Sequence, residues 1–177
     1  LDTRNSDGVR VIGFNTSGRR AILHDADGAV WSWDFDRGGR PEKVFPGGIT
    51  TIAWNPEANR LATAEEQIIK IWDVDSGNQI GADLVAPEKV LTLVFSPDGS
   101  RLASSGADKT ARLWDPATAR PVGEPLAANS TEVVGLAFAP DGSFIAAAAS
   151  DGSVRFYDTA TQQPIGPGVP ALDGLPR

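Results

Sequence analysis

Apolar and polar positions alternate along this chain in short runs, and the runs recur. Four apolar stretches each end on an aromatic ring: Val9-Arg10-Val11-Ile12-Gly13-Phe14, Ile49-Thr50-Thr51-Ile52-Ala53-Trp54, Val90-Leu91-Thr92-Leu93-Val94-Phe95 and Val133-Val134-Gly135-Leu136-Ala137-Phe138. Runs this short, bounded by turn residues, predict strands. A turn follows each one, at Asn15-Thr16-Ser17-Gly18, Asn55-Pro56-Glu57-Ala58, Ser96-Pro97-Asp98-Gly99 and Ala139-Pro140-Asp141-Gly142. Pro at the second turn position presets φ, and Gly at the fourth favours the turn's end. Next comes a strand of small residues, at Ala21 to Leu23, Leu61 to Ala64, Leu102 to Ser105 and Phe144 to Ala148. Such side chains suit a strand packed closely between layers.

A third strand closes on a ring followed by an acid: Trp33-Asp34, Trp72-Asp73, Trp114-Asp115 and Tyr157-Asp158. Six residues before each ring stands another acid, namely Asp27, Glu66, Asp108 and Asp151. A fourth, outer strand is expected over Pro41 to Phe45, Gln79 to Val85, Pro121 to Leu126 and Pro164 to Val169. Pro is tolerated there because an edge strand need not donate every amide.

The cycle therefore repeats as four segments, 9–47, 48–88, 89–130 and 131–170, with a C-terminal tail at 171–177. Each is about 40 residues, the period of a four-stranded propeller blade. The stretch Leu93-Val94-Phe95-Ser96-Pro97-Asp98-Gly99-Ser100-Arg101-Leu102-Ala103-Ser104-Ser105-Gly106-Ala107-Asp108-Lys109-Thr110-Ala111-Arg112-Leu113-Trp114-Asp115 resembles a WD repeat of the bacterial type. The resemblance runs from about Val9 to Val169. It implies an all-β chain, a β-propeller of four-stranded antiparallel WD-type blades, with four blades here as a half or partial propeller. At about four strands per blade, at least ~14 strands and no helix are expected.

The resemblance also implies structural roles. In the family, the strand-end ring and the acid of the turn between the second and third strands belong to a buried hydrogen-bond network. A Ser or Thr and the His of a Gly-His pair complete it. The positions carried over are Asp27, Trp33 and Asp34; Glu66, Trp72 and Asp73; Asp108, Trp114 and Asp115; and Asp151, Tyr157 and Asp158. Glu66, longer than Asp, fits its turn least well. The Gly-His pair is missing, its place taken by residues 45–47, Val85-Ala86 and Ala128-Asn129.

Composition narrows the chemistry. The net charge is −7, and Lys and Arg form no cluster beyond Arg19-Arg20. Nothing offers a stripe that would follow phosphates, so neither nucleic acid nor an anionic membrane is expected as a partner. No run approaches the ~20 apolar residues that span a bilayer. The chain has no Cys and one His, which excludes thiolate chemistry and leaves no His or Cys set for a transition metal. No phosphate loop, dinucleotide fingerprint or nucleophile elbow occurs. His24 beside Asp25 and Asp27 is expected to be a solvated turn residue. Trp31 is expected to pack against the next blade.

A non-enzymatic interaction scaffold or ligand-sensing module follows, without cofactor or metal. Absence of Cys fits a cytoplasmic setting. WD propellers bind proteins through loops of the narrow top face. By position, the candidates are Ala26, Glu65, Ala107 and Ser150, just before each turn acid, with Gly8, Lys89 and Glu132 at the entry of first strands. Bacterial chains with such repeats, and with linkers like Arg120-Pro121-Val122-Gly123-Glu124-Pro125-Leu126, are often sensor arrays of larger signalling proteins. The alternatives are the propeller platform of an enzyme, or a small-molecule or sugar-binding propeller. Four whole blades would make an open arc with an apolar face bare at each end. Two copies joined into an eight-bladed ring, or further blades of a parent protein, would close it.

Overall fold

The computed structural model describes residues 8–15, 17–45, 47–55, 57, 59–126 and 131–170. Among them are fifteen strands and no helix. The first sheet runs β1 (Arg10–Phe14), β2 (Arg20–His24), β3 (Val30–Asp34) and β4 (Glu42–Phe45). The second runs β5 (Thr51–Asn55), β6 (Arg60–Glu65), β7 (Ile68–Asp73) and β8 (Leu84–Val85). The third runs β9 (Val90–Phe95), β10 (Leu102–Gly106), β11 (Ala111–Asp115) and β12 (Arg120–Leu126). The fourth holds β13 (Val133–Phe138), β14 (Phe144–Ala149) and β15 (Val154–Asp158). Every pairing is antiparallel between neighbours in sequence, the up-and-down order of a propeller blade.

The outer strands are weaker than the sequence implies. In the second sheet the span Gln79 to Val85 reduces to Leu84–Val85 and one bridge, Trp72 to Gln79. In the fourth, Pro164 to Val169 forms only the bridges Tyr157–Pro164 and Val154–Val169. Two prolines without amide hydrogens and two positive-φ glycines, Gly166 and Gly168, interrupt the ladder there.

The core lies between the sheets, in three clusters, because strand side chains alternate between faces. Ile22, Val30 and Phe45 of the first sheet meet Leu61, Trp54 and Trp72 of the second. Ala62, Ala64, Ile69 and Ile71, on the other face of that sheet, meet Phe95, Leu102 and Trp114 of the third. Ala103, Ala111 and Leu113 then meet Phe138, Ile145 and Tyr157 of the fourth. Thus adjacent residues such as Leu102 and Ala103 serve different interfaces. The small second strands let sheets approach closely, and they are nearly wholly buried: Leu61, Ala62, Ala64, Leu102 and Ala103 are each 0% exposed. Gly13 serves the same purpose at the first interface. A Cβ there would lie 2.8 Å from the Trp54 ring, whose Nε1 donates to the Phe14 carbonyl at 3.0 Å.

Candidate interaction face

The turns between second and third strands and the loops entering each sheet meet at one end of the blades, and backbone hydrogen bonds join them. The Ala107 amide donates to the Lys89 carbonyl, and the Ser150 amide to the Glu132 carbonyl, both at 2.9 Å. In the second sheet the turn hands its carbonyl to the next loop, the Val90 amide donating to Glu66 at 2.8 Å. At the first, a Cβ on Gly8 would sit 2.8 Å from Ala26 Cβ. The structure therefore brings the sequence-selected face residues together in pairs: Gly8 with Ala26, Lys89 with Ala107, Glu132 with Ser150. Glu65 faces Gly48, whose Cβ would lie 3.4 Å from Glu65 Oε1. Gly8, Ala26, Glu65, Lys89, Glu132 and Ser150 are exposed and Ala107 is half-buried.

The acids beneath this face do different jobs in different blades. Asp108 accepts from the Thr110 amide at 3.1 Å, the Thr110 hydroxyl at 2.9 Å and Arg112 Nη2 at 3.2 Å. Asp151 accepts the Ser153 amide at 2.9 Å and its hydroxyl at 2.6 Å. The first turn departs from the sequence reading. Asp27 holds the matching position, but Ala29 stands where Thr110 and Ser153 carry hydroxyls, and the Asp27 carboxylate accepts no hydrogen bond among the described residues. Asp25 does the work instead, accepting the amides of Asp27 and Ala29 at 3.1 and 2.8 Å and Trp31 Nε1 at 2.7 Å. Burial acts to raise the Asp25 pKa, yet the bonds from Trp31, Ala29 and Asp27 outweigh it and hold the carboxyl below its ordinary value.

The second turn departs as well. Glu65 pairs directly with Ile68, so the loop is shorter, and Glu66 takes a left-handed φ of 50°. Its carboxylate turns outward to Lys89 Nζ at 3.4 Å and caps nothing in the turn.

The rings complete part of the network. Trp114 Nε1 donates to Ser104 Oγ at 2.8 Å, and Trp72 Nε1 to Thr63 Oγ1 at 2.9 Å. The matching positions are Leu23 in the first sheet and Ala147 in the fourth, neither of which carries a hydroxyl. At the missing His of the third blade, Ala86, Glu88, Ser105 and Arg112 line a small cleft, and Arg112 supplies the donor that reaches Asp108. Sequence reasoning missed Arg112 and Asp25; an Asp ahead of the turn with an indole six residues on was the available signal for Asp25.

The second acid of each pair caps the outer turn, at the opposite end of the blade. Asp34 accepts the amides of Asp36 and Arg37, Asp73 the Ser76 amide and hydroxyl, Asp115 the amides of Ala117 and Thr118, and Asp158 the amides of Ala160 and Thr161. The Ser76, Ala117 and Thr161 amides lead the effects that hold Asp73, Asp115 and Asp158 below the ordinary carboxylate range.

Two further residues depart from expectation. His24 is half-buried, its Nε2 at 3.2 Å from the Ile49 carbonyl, so it ties the first blade to the loop entering the second. Trp31 sits two residues from Trp33 and hence on the same face of β3, turned away from the second sheet. Asp25 holds its indole nitrogen, and Lys43 Nζ lies over its ring at 4.9 Å. Among the described residues no group of three or more His, Cys, Asp or Glu side chains could hold a metal ion.

The model of the family described as WD domain, G-beta repeat matches residues 39–73, 82–115 and 121–158, more than half of the chain. The chain belongs to the WD40 repeat family. The family match covers three repeats; β1 to β3 of the first sheet stand outside it, and β4 falls within its first segment. This WD40 chain is 29% identical over 112 residues to transducin beta-like protein 3 of Bos taurus, covering 60% of the chain and 14% of the relative. It is 28% identical over 125 residues to small ribosomal subunit protein RACK1 of Medicago sativa, covering 60% of the chain and 38% of the relative. It thus spans well under two thirds of either relative. The β-propeller domain of Cps50 (Swd1) from Myceliophteria thermophila superposes with a TM-score of 0.72 over 92% of the chain and 56% of that domain, at 19% identity. That likeness establishes the fold, an arc of a propeller.

Proposed function

We propose that this chain is a non-enzymatic protein-interaction module, and that its binding face is the end where Ala26, Glu65, Ala107 and Ser150 meet Gly8, Lys89 and Glu132. The observation that carries the reading is the backbone pairing of Ala107 with Lys89 and Ser150 with Glu132. Main-chain bonds hold the loops, so the side chains of Glu65, Lys89 and Glu132 are left to contact a partner. A surface ordered in advance loses little entropy on binding. The side chains it offers are mainly acidic, with Glu65, Glu66, Glu88 and Glu132 around Lys89 and Lys109. The complementary partner surface is basic.

The module acts in the cytoplasm as the sensing or scaffolding part of a larger signalling protein. Relatives named for a ribosomal subunit protein and for transducin beta support a role in assemblies. These relatives are eukaryotic, so a bacterial origin stands on the Ser96-Pro97-Asp98-Gly99 repeat and the Arg120–Leu126 linker. The ring closes around the arc through a second copy or through further blades.

Site-specific photo-crosslinking in the source cell tests the reading. A benzophenone side chain at Lys89 or Glu132 is expected to trap one discrete protein. The same probe at Ser17 or Ala117, on turns at the opposite end, is expected to trap none. Crosslinks only from the opposite end would overturn the assignment of the face.

A further inference from the structure

Ser104 of β10 stands directly opposite Arg112 of β11. Cross-strand partners leave a sheet on one face, with Cβ atoms about 4.5–5.5 Å apart. Trp114 shares that face, which packs on the second sheet. There the two side chains meet the loop that enters the third sheet, at Ala86 and Pro87. With Asp108 and Thr110 they line a cleft of about 10 Å³.

The polar groups along this cleft do not balance among themselves. Ser104 Oγ accepts from Trp114 Nε1 at 2.8 Å, which leaves its own hydrogen to be donated, and no acceptor takes it among the described residues. Arg112 donates from Nη2 to Asp108 at 3.2 Å, but its Nε is buried and has no partner among the described residues. Two donors therefore share one small space with a carboxylate beside them. Ser105 takes no part, because it pairs with Ala111 and so sends its hydroxyl to the other face of β10. Buried polar groups are satisfied by protein or by ordered water. A buried water needs roughly 10–15 Å³ and about two to four polar partners. This cleft holds one such molecule and nothing larger.

The combination occurs only in the third sheet. In the second, Thr63 faces Lys70, whose single nitrogen stands at the end of its chain. In the fourth, Arg155 faces Ala147, which has no hydroxyl, and Arg155 is exposed.

We propose that the third blade carries a single-water site. The water accepts from the Ser104 hydroxyl and from Arg112 Nε, and donates to the Asp108 carboxylate. It joins β10, β11 and the turn between them, directly beneath the turn residue Ala107 that binds Lys89. A chain of bonds then runs from the Trp114 indole through Ser104 and the water to Asp108. The site stands whether or not Lys89 contacts a partner.

A crystal structure of the chain at a resolution that shows ordered water tests it. One fully occupied water is expected within about 2.7–3.2 Å of both Ser104 Oγ and Arg112 Nε. A cleft without density overturns the proposal. So does the Glu88 carboxylate seated on Arg112 Nε, or density that refines as a chloride ion. Nuclear magnetic resonance of the Arg112 Nε–H gives a second reading in solution. Cross-relaxation with a water held longer than the tumbling time of the protein is expected. An Nε–H that shows only fast exchange with bulk solvent overturns the site.

Discussion

The amide of Ala107 lies 2.9 Å from the carbonyl of Lys89, so a turn and a loop remote in the chain are locked together without help from either side chain. Ser150 and Glu132 repeat the bond one blade later. This separates the tasks of stability and recognition. The acids and rings beneath the face hold the turns, and the exposed side chains of Glu65 and Glu132 take no part in those bonds.

Asp25 carries the first turn. Asp25→Ala removes the acceptor of two amides and the Trp31 indole, and is expected to cost about 1–2 kcal/mol of unfolding free energy. Asp27→Ala touches no such bond and is expected to change stability by less than about 0.5 kcal/mol, as exposed substitutions usually do. Urea unfolding of the two variants checks the order. Equal losses would return the role to Asp27.

The buried indole of Trp114 depends on Ser104. Ser104→Ala leaves that N–H without an acceptor in a closed interface and is expected to cost about 1–3 kcal/mol. Asp108→Ala strips the Thr110 and Arg112 bonds and is expected to cost a similar amount. Asp151 is exposed, and its loss is expected to cost less, about 0.5–1 kcal/mol. Thermal unfolding ranks the three.

Acid is expected to unfold the blades through the turn-capping carboxylates. Hydrogen bonds from Ser96 and Ser100 hold Asp98 at about 2, and Ser76, Ala117 and Thr161 lead those that lower Asp73, Asp115 and Asp158. A folded pKa below the unfolded one gives stability that is present above the unfolded value, about 3.9 for Asp. That stability is lost as pH falls through the folded values. Denaturant midpoints are therefore expected to hold steady from about pH 7 to 5 and to drop between about pH 4 and 2. A flat profile down to pH 2 would contradict the capping role.

Much of the fold was legible because the repeat states the same strand pattern four times, and because small residues in the second strands admit only close-packed sheets. Lys89 and Ala107 were each legible as positions, since the entry loop and the turn acid keep their spacing from the ring, but the backbone bond that pairs them was not. Asp25 was not, because its role depends on a missing hydroxyl at residue 29 and on an indole from the next strand. Arg112 was hidden for a similar reason: an arginine in β11 reads as solvated until the absent His leaves room for it. The weakness of the outer strands after Gln79 and Pro164 also escaped, since tolerance of Pro at an edge says nothing about how many ladder bonds survive.

The most direct test combines Glu65→Ala, Lys89→Ala and Glu132→Ala in one chain and titrates it calorimetrically with the protein trapped from Lys89. The account predicts an unchanged melting temperature, because the loop bonds are main-chain bonds, and a dissociation constant raised about tenfold or more, the equivalent of roughly 1.4 kcal/mol. An unchanged dissociation constant with the fold intact would contradict it.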